Sequence, residues 1–429
     1  MTRSASDEEA RIGRILDELG ITPEYLRDLP YDIGREALST VDTIEPNLVP
    51  SPKVRWPVSL LWRIDLDKFN RDLQGALNAI SPLNASPAGY CYVIRQKGQI
   101  VHAGSKGWAQ LPDDPQAGDG NVAWDTNVPM NVASVSKFVT AIAVVRLLES
   151  LQSTGVSVDT SIARFLPQYW TQGPNIGAIT FRQLLRHEAG LGSTLAPTNT
   201  GPGDFAEAKG EIKAGTTGPS AFNYKNVNYA ILRVLFATLT KKLDPGSSVP
   251  SFLTSVGISE DMFWHGASEG VYCDYVNDYV FAPVSIDRRD LKAAANAALA
   301  YSTPPTVPGG RIENLGLSGQ TGWHLSVDEL LRLLQKFLSG SIISRRRAQQ
   351  LVSDMYGLDP PIHTNAGPVH SKGGLRLDGS GRGLASMIGL MPGDVEFVVL
   401  MNAGDGTPDG PLRVIPSLIP GSAKFSFFW

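Results

Sequence analysis

ASVSKFVTAIAVVRLLESL, residues 133–151, is the stretch on which the reading of this chain turns. From Phe138 onward it is apolar almost all round, the mark of a helix buried in the middle of a protein rather than laid on its surface. The pattern predicts a helix over 134–151, with Ser134 and Lys137 in its first turn. Residues three apart share a helix face, so the hydroxyl and the ammonium group can touch. A serine hydroxyl is a poor nucleophile until something takes its proton. A lysine can do so if burial lowers its pKa, because desolvation disfavours the charged form. The helix N-terminus adds a field that favours negative charge developing beside Ser134. The competing reading makes Ser134 an N-cap and Lys137 an exposed helix residue. A charged side chain beside so apolar a helix argues against it.

Upstream, residues 88–109 (AGYCYVIRQKGQIVHAGSKGWA) read as a β-hairpin, two Val/Ile/Tyr-rich runs around the turn Gln96-Lys97-Gly98. Residues 1–60 read as an extension. Ile12, Ile15, Leu16 and Leu19 recur at helical spacing, and Thr22-Pro23 reads as an N-cap with proline at the first helical position. Pro46, Pro50, Pro52 and Pro57 mark a linker. Downstream, Thr180 with Gln183 and Ser326 with Glu329 have capping-box spacing ahead of helices. LASMIGLM (384–391) and VEFVVLMN (395–402) are strand runs joined by Pro392-Gly393-Asp394. Strands thus lie at both ends of the chain with helices between. The expectation is a mixed α/β (α+β) fold: one antiparallel sheet built from both ends, flanked by helices, with a largely helical subdomain inserted at roughly 140–315 of a 61–429 domain.

Bulk properties narrow the function. The chain has 429 residues, 42% of them hydrophobic and 19% charged, which is globular composition. A net charge of −4 without a basic run excludes a nucleic-acid footprint. No apolar run reaches the ~18 residues of a membrane span. The polar, acidic start lacks the apolar core of a secretory signal, so a cytoplasmic enzyme is expected. The two cysteines, Cys91 and Cys273, form no disulfide framework and read first as buried thiols, although they can pair.

Two further elements carry chemistry. Tyr224-Lys225-Asn226 lies in FNYKNVNYAILRVL (222–235), a loop leading straight into an apolar helix. A tyrosine there can relay a proton, and an asparagine can bond a substrate amide. Tyr275-Val276-Asn277 repeats the pattern without such a loop. Lys372-Gly373-Gly374 stands ahead of the C-terminal strand pair, where glycines let a substrate backbone approach and a lysine offers positive charge to a carboxylate or a polarised carbonyl. Lys213-Ala214-Gly215 has the same shape, but no strand follows it. His187 does not open a His-Glu-x-x-His zinc motif, since Gly190 and Leu191 break it. His363, His370 and Trp323 are candidates to border a cleft, with loop or packing duties as the plainer reading. No metal or cofactor is called for.

Taken in order, Ser134-x-x-Lys137, Tyr224-x-Asn226 and Lys372-Gly373-Gly374 resemble the signature of the serine β-lactamase and penicillin-binding-protein superfamily, closest to its class C β-lactamase-like branch. SVDTSIARFLPQYW (157–170), ITFRQLLRHEAGLG (179–192) and GLSGQTGWHLSVDELLRLLQKFL (316–338) are similar to further family segments, so the resemblance covers roughly residues 85–405. It implies a β-lactamase/transpeptidase-like fold. By resemblance Ser134 is the acylated nucleophile, Lys137 its proton acceptor and Tyr224 the general acid/base. Asn226 and Lys372 take substrate-contact places, with Gly373 and Gly374 completing the triplet. The N–H groups of Ser134 and Leu375 would form the oxyanion hole. Gly373 stands where β-lactamases usually carry Thr or Ser, which removes a hydroxyl used on the antibiotic's carboxylate and points to the esterase and peptidase members. The implied function is hydrolysis of a small ester or amide. Acyl transfer, β-lactam hydrolysis and a non-catalytic penicillin-binding-like module are the alternatives.

Overall fold

The hairpin read between residues 88 and 109 forms as β1 (Tyr90–Gln96) and β2 (Gln99–Lys106) in a computed structural model of the chain. The structure describes residues 62–80, 88–111, 113–118, 121–192, 204–303, 307–312, 316–403 and 411–425. The helices expected around residues 12–19 and after Thr22 lie outside them. Lys97 and Gly98 both have positive φ, 49° and 80°, the backbone that turns a two-residue hairpin with the twist of its strands.

The remaining sheet strands are β3 (Ile362–Thr364), β4 (Gly367–Leu377), β5 (Gly383–Met391) and β6 (Val395–Met401). In chain order the principal helices are α1 (Leu66–Ile80), α2 (Ser136–Ser150), α3 (Phe181–Leu185), α4 (Asp204–Ala214), α5 (Val227–Leu239), α6 (Glu260–Val276), α7 (Val327–Ser339) and α8 (Pro411–Gly421). The chain divides into two compact units. Among the described residues, one holds 62–146, 277–315 and the chain from 320 onward, and the other holds 147–276 and 316–319.

The first unit contains the six-stranded sheet, in the order β2-β1-β6-β5-β4-β3, antiparallel throughout. Strands from the two ends of the chain meet where β1 pairs with β6, as expected. On one face lie α1 and α8. Phe69, Leu73 and Leu77 recur every fourth residue on α1 and enter one core with Tyr92, Met387, Phe397 and Ile415. Phe69 meets Phe397 edge to face at 5.5 Å. Each such side chain contributes about 1.5–3 kcal/mol on burial. On the other face lies α7, tied to the sheet where Arg95 donates to the Leu331 carbonyl (2.8 Å) and to Glu396 (2.8 Å). Phe337 of α7 meets Phe138 of α2 at 5.2 Å. Both capping boxes form, at Thr180 before α3 and at Ser326 before α7.

The second unit is helical. Every residue of α5 is buried, including Arg233, whose guanidinium donates to Asp204 at 2.6 Å and to Ser268 at 2.9 Å. Cys91 on β1 and Cys273 on α6 are both buried, and burial pushes the Cys91 thiol up to about 12, with Asp125 and Asp328 adding to it.

Candidate active site

The chain reaches Ser134 through a turn built from four separate segments. Asn131 pairs with His324 in a two-residue ladder, and the Val132 N–H donates to the Trp323 carbonyl at 2.9 Å. The Asn131 side chain accepts from the Ala133 N–H and donates to the Ile312 carbonyl, each at 2.9 Å. Ser386 of β5 donates its hydroxyl to the Val132 carbonyl at 2.7 Å. Between these anchors Ala133 is held at φ 45°, the left-handed region that a residue with a Cβ rarely adopts. One tight helical turn, Ala133–Val135, follows, and α2 begins at Ser136.

Lys137 is 1% exposed. Its ammonium nitrogen lies 3.1 Å from Ser134 Oγ and 2.8 Å from the Gln320 carbonyl oxygen. The structure therefore does not have the surface lysine of the competing reading. The buried α2 places the ammonium under the hydroxyl, and Gln320 holds it there.

Lys372-Gly373-Gly374 lies ahead of the C-terminal strand pair, as expected, and within a strand of its own, β4. Gly374 faces Ser386 across the ladder. A Cβ on Gly374 would come within 2.5 Å of the Val132 carbonyl, 2.6 Å of Ser386 Oγ and 2.9 Å of the Ser134 nitrogen. Only a glycine lets the Ser134 turn rest on this strand. The Gly373 N–H donates to Asp359 Oδ2 at 2.9 Å, and the Asp359 N–H donates to the Ser371 carbonyl at 2.8 Å. Backbone groups alternate along a strand, so residues 371, 373 and 375 present theirs to the outer edge, away from β5. The Leu375 N–H points to that edge.

Asp359 is the residue the sequence did not flag. Its carboxylate also forms an ion pair with Lys372, whose side chain is 3% exposed against 34% for the aspartate. The only local signal is Pro360-Pro361, which marks a stiff segment after it.

His363 and His370 lie on strands β3 and β4, not in loops. Burial holds the His370 imidazole below its usual range, and His363 adds to the effect. Trp323 is fully buried and packs edge-on against Phe281 at 4.8 Å, a core contact.

Tyr224 and Asn226 belong to the helical unit. Tyr224 is 37% exposed, and its ring lies 4.5 Å from that of His187. His187 sits at φ 56° at the end of α3 and is buried. Its Nδ1 accepts from the Lys225 N–H at 3.3 Å, which assigns the ring proton to Nε2. Its carbonyl accepts from the Asn223 N–H at 2.9 Å. Asn228 bridges the same corner, 3.3 Å from Nδ1 and donating to the Lys225 carbonyl at 3.2 Å. Asn226, exposed, is the N-cap of α5. Lys225 does not stand out in solvent. It is half-buried over Gly192, whose added Cβ would meet its side chain at 3.1 Å. The rival tyrosine, Tyr275, is buried against Phe236 at 5.3 Å, and Asn277 bonds both backbone groups of Arg289.

Among the described residues, no group of three or more His, Cys, Asp or Glu side chains is placed to hold a metal ion. No described helix is long and apolar enough to cross a membrane.

Comparison with known proteins agrees with this fold. The family model described as Beta-lactamase matches residues 78–413. No curated protein matches the chain. Among solved structures, the octameric penicillin-binding protein homologue from Pyrococcus abyssi has a TM-score of 0.57 at 17% identity, over 83% of this chain and 77% of that one. The D-amino acid amidase from Ochrobactrum anthropi SV3, complexed with L-phenylalanine amide, has 0.55 at 15% identity, over 82% and 99%. A class C beta lactamase from Rhodobacter sphaeroides has 0.54 at 15% identity, over 81% and 98%. At these identities the three share the fold.

Proposed function

Because the chain belongs to the beta-lactamase family of serine hydrolases, we propose that it hydrolyses a small ester or amide through an acyl-enzyme on Ser134. The observation that carries the reading is the 3.1 Å separation between Lys137 Nζ and Ser134 Oγ, with the lysine buried. In its neutral form Lys137 accepts the hydroxyl proton as Ser134 Oγ bonds to the substrate carbonyl carbon. The carbonyl oxygen becomes an oxyanion and is received by the N–H groups of Ser134 and Leu375. The C–O or C–N bond to the leaving group then breaks, and the leaving group takes the proton. Water repeats the sequence in the second half and releases the acid, returning Ser134 to its starting form.

In this reading Tyr224 takes the proton-relay place and Asn226 a substrate-contact place. The packing of Tyr224 on His187 supports this, because a relay needs a fixed ring with a reachable hydroxyl. Gly373 favours esters and amides over β-lactams, since no hydroxyl at that position is available to a carboxylate.

The test is exposure of the intact chain to p-nitrophenyl acetate and to a fluorophosphonate probe, followed by intact mass spectrometry. A single adduct on Ser134, absent in Ser134→Ala, is the expected result. Undiminished turnover by Ser134→Ala would end the proposal. Added alcohols or amines measure the share of acyl transfer: a product mixture that tracks their concentration identifies a transferase.

A further inference from the structure

We propose that Asp359 is a built-in carboxylate that occupies the anion-binding end of the site and makes the enzyme select substrates uncharged at that end. This rests on the acyl-enzyme reading above and deepens it.

The observation is a pair of contacts from one carboxylate. Asp359 forms an ion pair with the Lys372 ammonium through Oδ1 and accepts the Gly373 N–H through Oδ2 at 2.9 Å. A cation and an edge N–H converging on two carboxylate oxygens make a carboxylate-binding site. Here the carboxylate is the protein's own. Lys372 stands two residues before Gly374, the glycine on which the Ser134 turn rests, so Asp359 is tied to the strand that abuts Ser134.

Two features make Asp359 a lasting occupant. Its backbone is fixed, because its N–H donates to the Ser371 carbonyl at 2.8 Å and two prolines follow it. A dissolved carboxylate must lose its freedom to bind, whereas the fold has already ordered this one. The second feature is its position at the surface. With 34% of its side chain exposed, Asp359 meets arriving ligands, unlike a sealed structural pair. A substrate carboxylate there meets a neutralised lysine and a negative charge. An uncharged group meets neither obstacle.

The experiment uses the full chain and two matched ester pairs. One pair is 3-acetoxybenzoate and its methyl ester, with the charge on the leaving group. The other is p-nitrophenyl hemiadipate and its methyl ester, with the charge on the acyl group. The quantity read is the ratio of kcat/KM for the anionic and neutral members. Intrinsic reactivity cancels when wild type is compared with variant, and a general loss of folding lowers both members together.

Wild type should prefer the neutral member of at least one pair. Asp359→Asn keeps the shape and removes the charge. It should raise the anionic-to-neutral ratio of that pair at least about tenfold, and it should speed labelling by a fluorescent penicillin, which carries a carboxylate. Asp359→Glu retains the charge and should keep the ratio within about threefold of wild type. Turnover through Ser134 with a ratio unmoved by Asp359→Asn overturns this inference alone. Absence of both turnover and fluorophosphonate labelling at Ser134 overturns the acyl-enzyme reading and this inference with it.

Discussion

The turn that presents Ser134 contains, and the loop that carries Tyr224 packs on, a non-glycine residue in the left-handed region, Ala133 at φ 45° and His187 at φ 56°. They are held there by different means. The Ser134 turn is anchored by backbone and short side chains drawn from Asn131, Ile312, Trp323 and Ser386. The Tyr224 loop is organised around one residue, His187, which takes the Lys225 N–H at its ring and the Asn223 N–H at its backbone carbonyl, with Asn228 bridging the ring and the Lys225 carbonyl. One ion pair from each unit shows a similar contrast. Arg233–Asp204 in the helical unit is sealed on both sides, whereas Lys372–Asp359 is open on the aspartate side. A left-handed residue held by many anchors cannot relax when one is removed. A loop gathered around one residue has fewer anchors to lose. A sealed pair can only be structural, while a half-open pair can also be met by a ligand.

Substitutions at the nucleophile break this comparison most sharply. Ser134→Ala and Lys137→Met should each lower kcat/KM on aryl esters by at least about 10³-fold, with cooperative unfolding retained in circular dichroism. Retained activity in Lys137→Met would remove the lysine from the mechanism. Gly374→Ala comes next. Its methyl group would press on the Val132 carbonyl and the Ser134 nitrogen, so acylation should fall about 10²-fold and stability by about 1–3 kcal/mol. Stopped-flow acylation and urea melts measure the two effects. A silent Gly374→Ala would mean that the many-anchored turn yields after all.

His187→Ala tests the single-anchor loop. It leaves the Lys225 N–H without its acceptor and Tyr224 without its ring partner, at a cost of about 1–3 kcal/mol. The kcat should fall about tenfold while Ser134 still labels with fluorophosphonate. A labelling rate that falls as far as kcat would place His187 with the nucleophile rather than with the Tyr224 loop.

The smallest effect is on stability against pH, and it compares one buried histidine from each unit. Burial lowers His265 to about 3, with the Arg233 charge adding to it, and burial lowers His324 to about 4. Both stay neutral in the fold where the unfolded chain, titrating near 6.5, takes a proton. The unfolded state then binds more protons, so stability falls as pH drops from about 6.5. The loss continues to about 4 for His324 and to about 3 for His265. Each contributes at most about 1.4 kcal/mol per pH unit. Urea midpoints between pH 7 and 4 should show the slope, and His324→Gln should reduce it.

Much of this was legible in the chain itself. Ser134-x-x-Lys137 at the head of an apolar helix, the two capping boxes and both hairpin turns are local patterns. They involve neighbours within four residues, whose spacing sets geometry directly. The strand that contains Lys372 was not read. Its glycines, Gly373 and Gly374, weaken any strand pattern, and what makes them a strand is pairing with β5. The histidines beside it, His363 and His370, read from sequence as candidates to border a cleft, with loop duties as the plainer reading, for the same reason. His187 was considered only as a failed metal motif, because its duty is to groups 36 or more positions later, at Asn223 and Lys225.

The sequence alone determined the Ser134–Lys137 pair, the helix that buries it and the strand runs at both ends of the chain, because each follows from short-range periodicity and turn chemistry. The tertiary structure decided what surrounds that pair. It set Gly374 against the Ser134 turn, it placed the Ser386 hydroxyl on the Val132 carbonyl, and it brought Asp359 to Lys372. Those contacts join side chains to partners that no local spacing links. They exist only once burial and strand pairing have brought distant segments together, since only then does leaving a polar group without a partner carry its full cost.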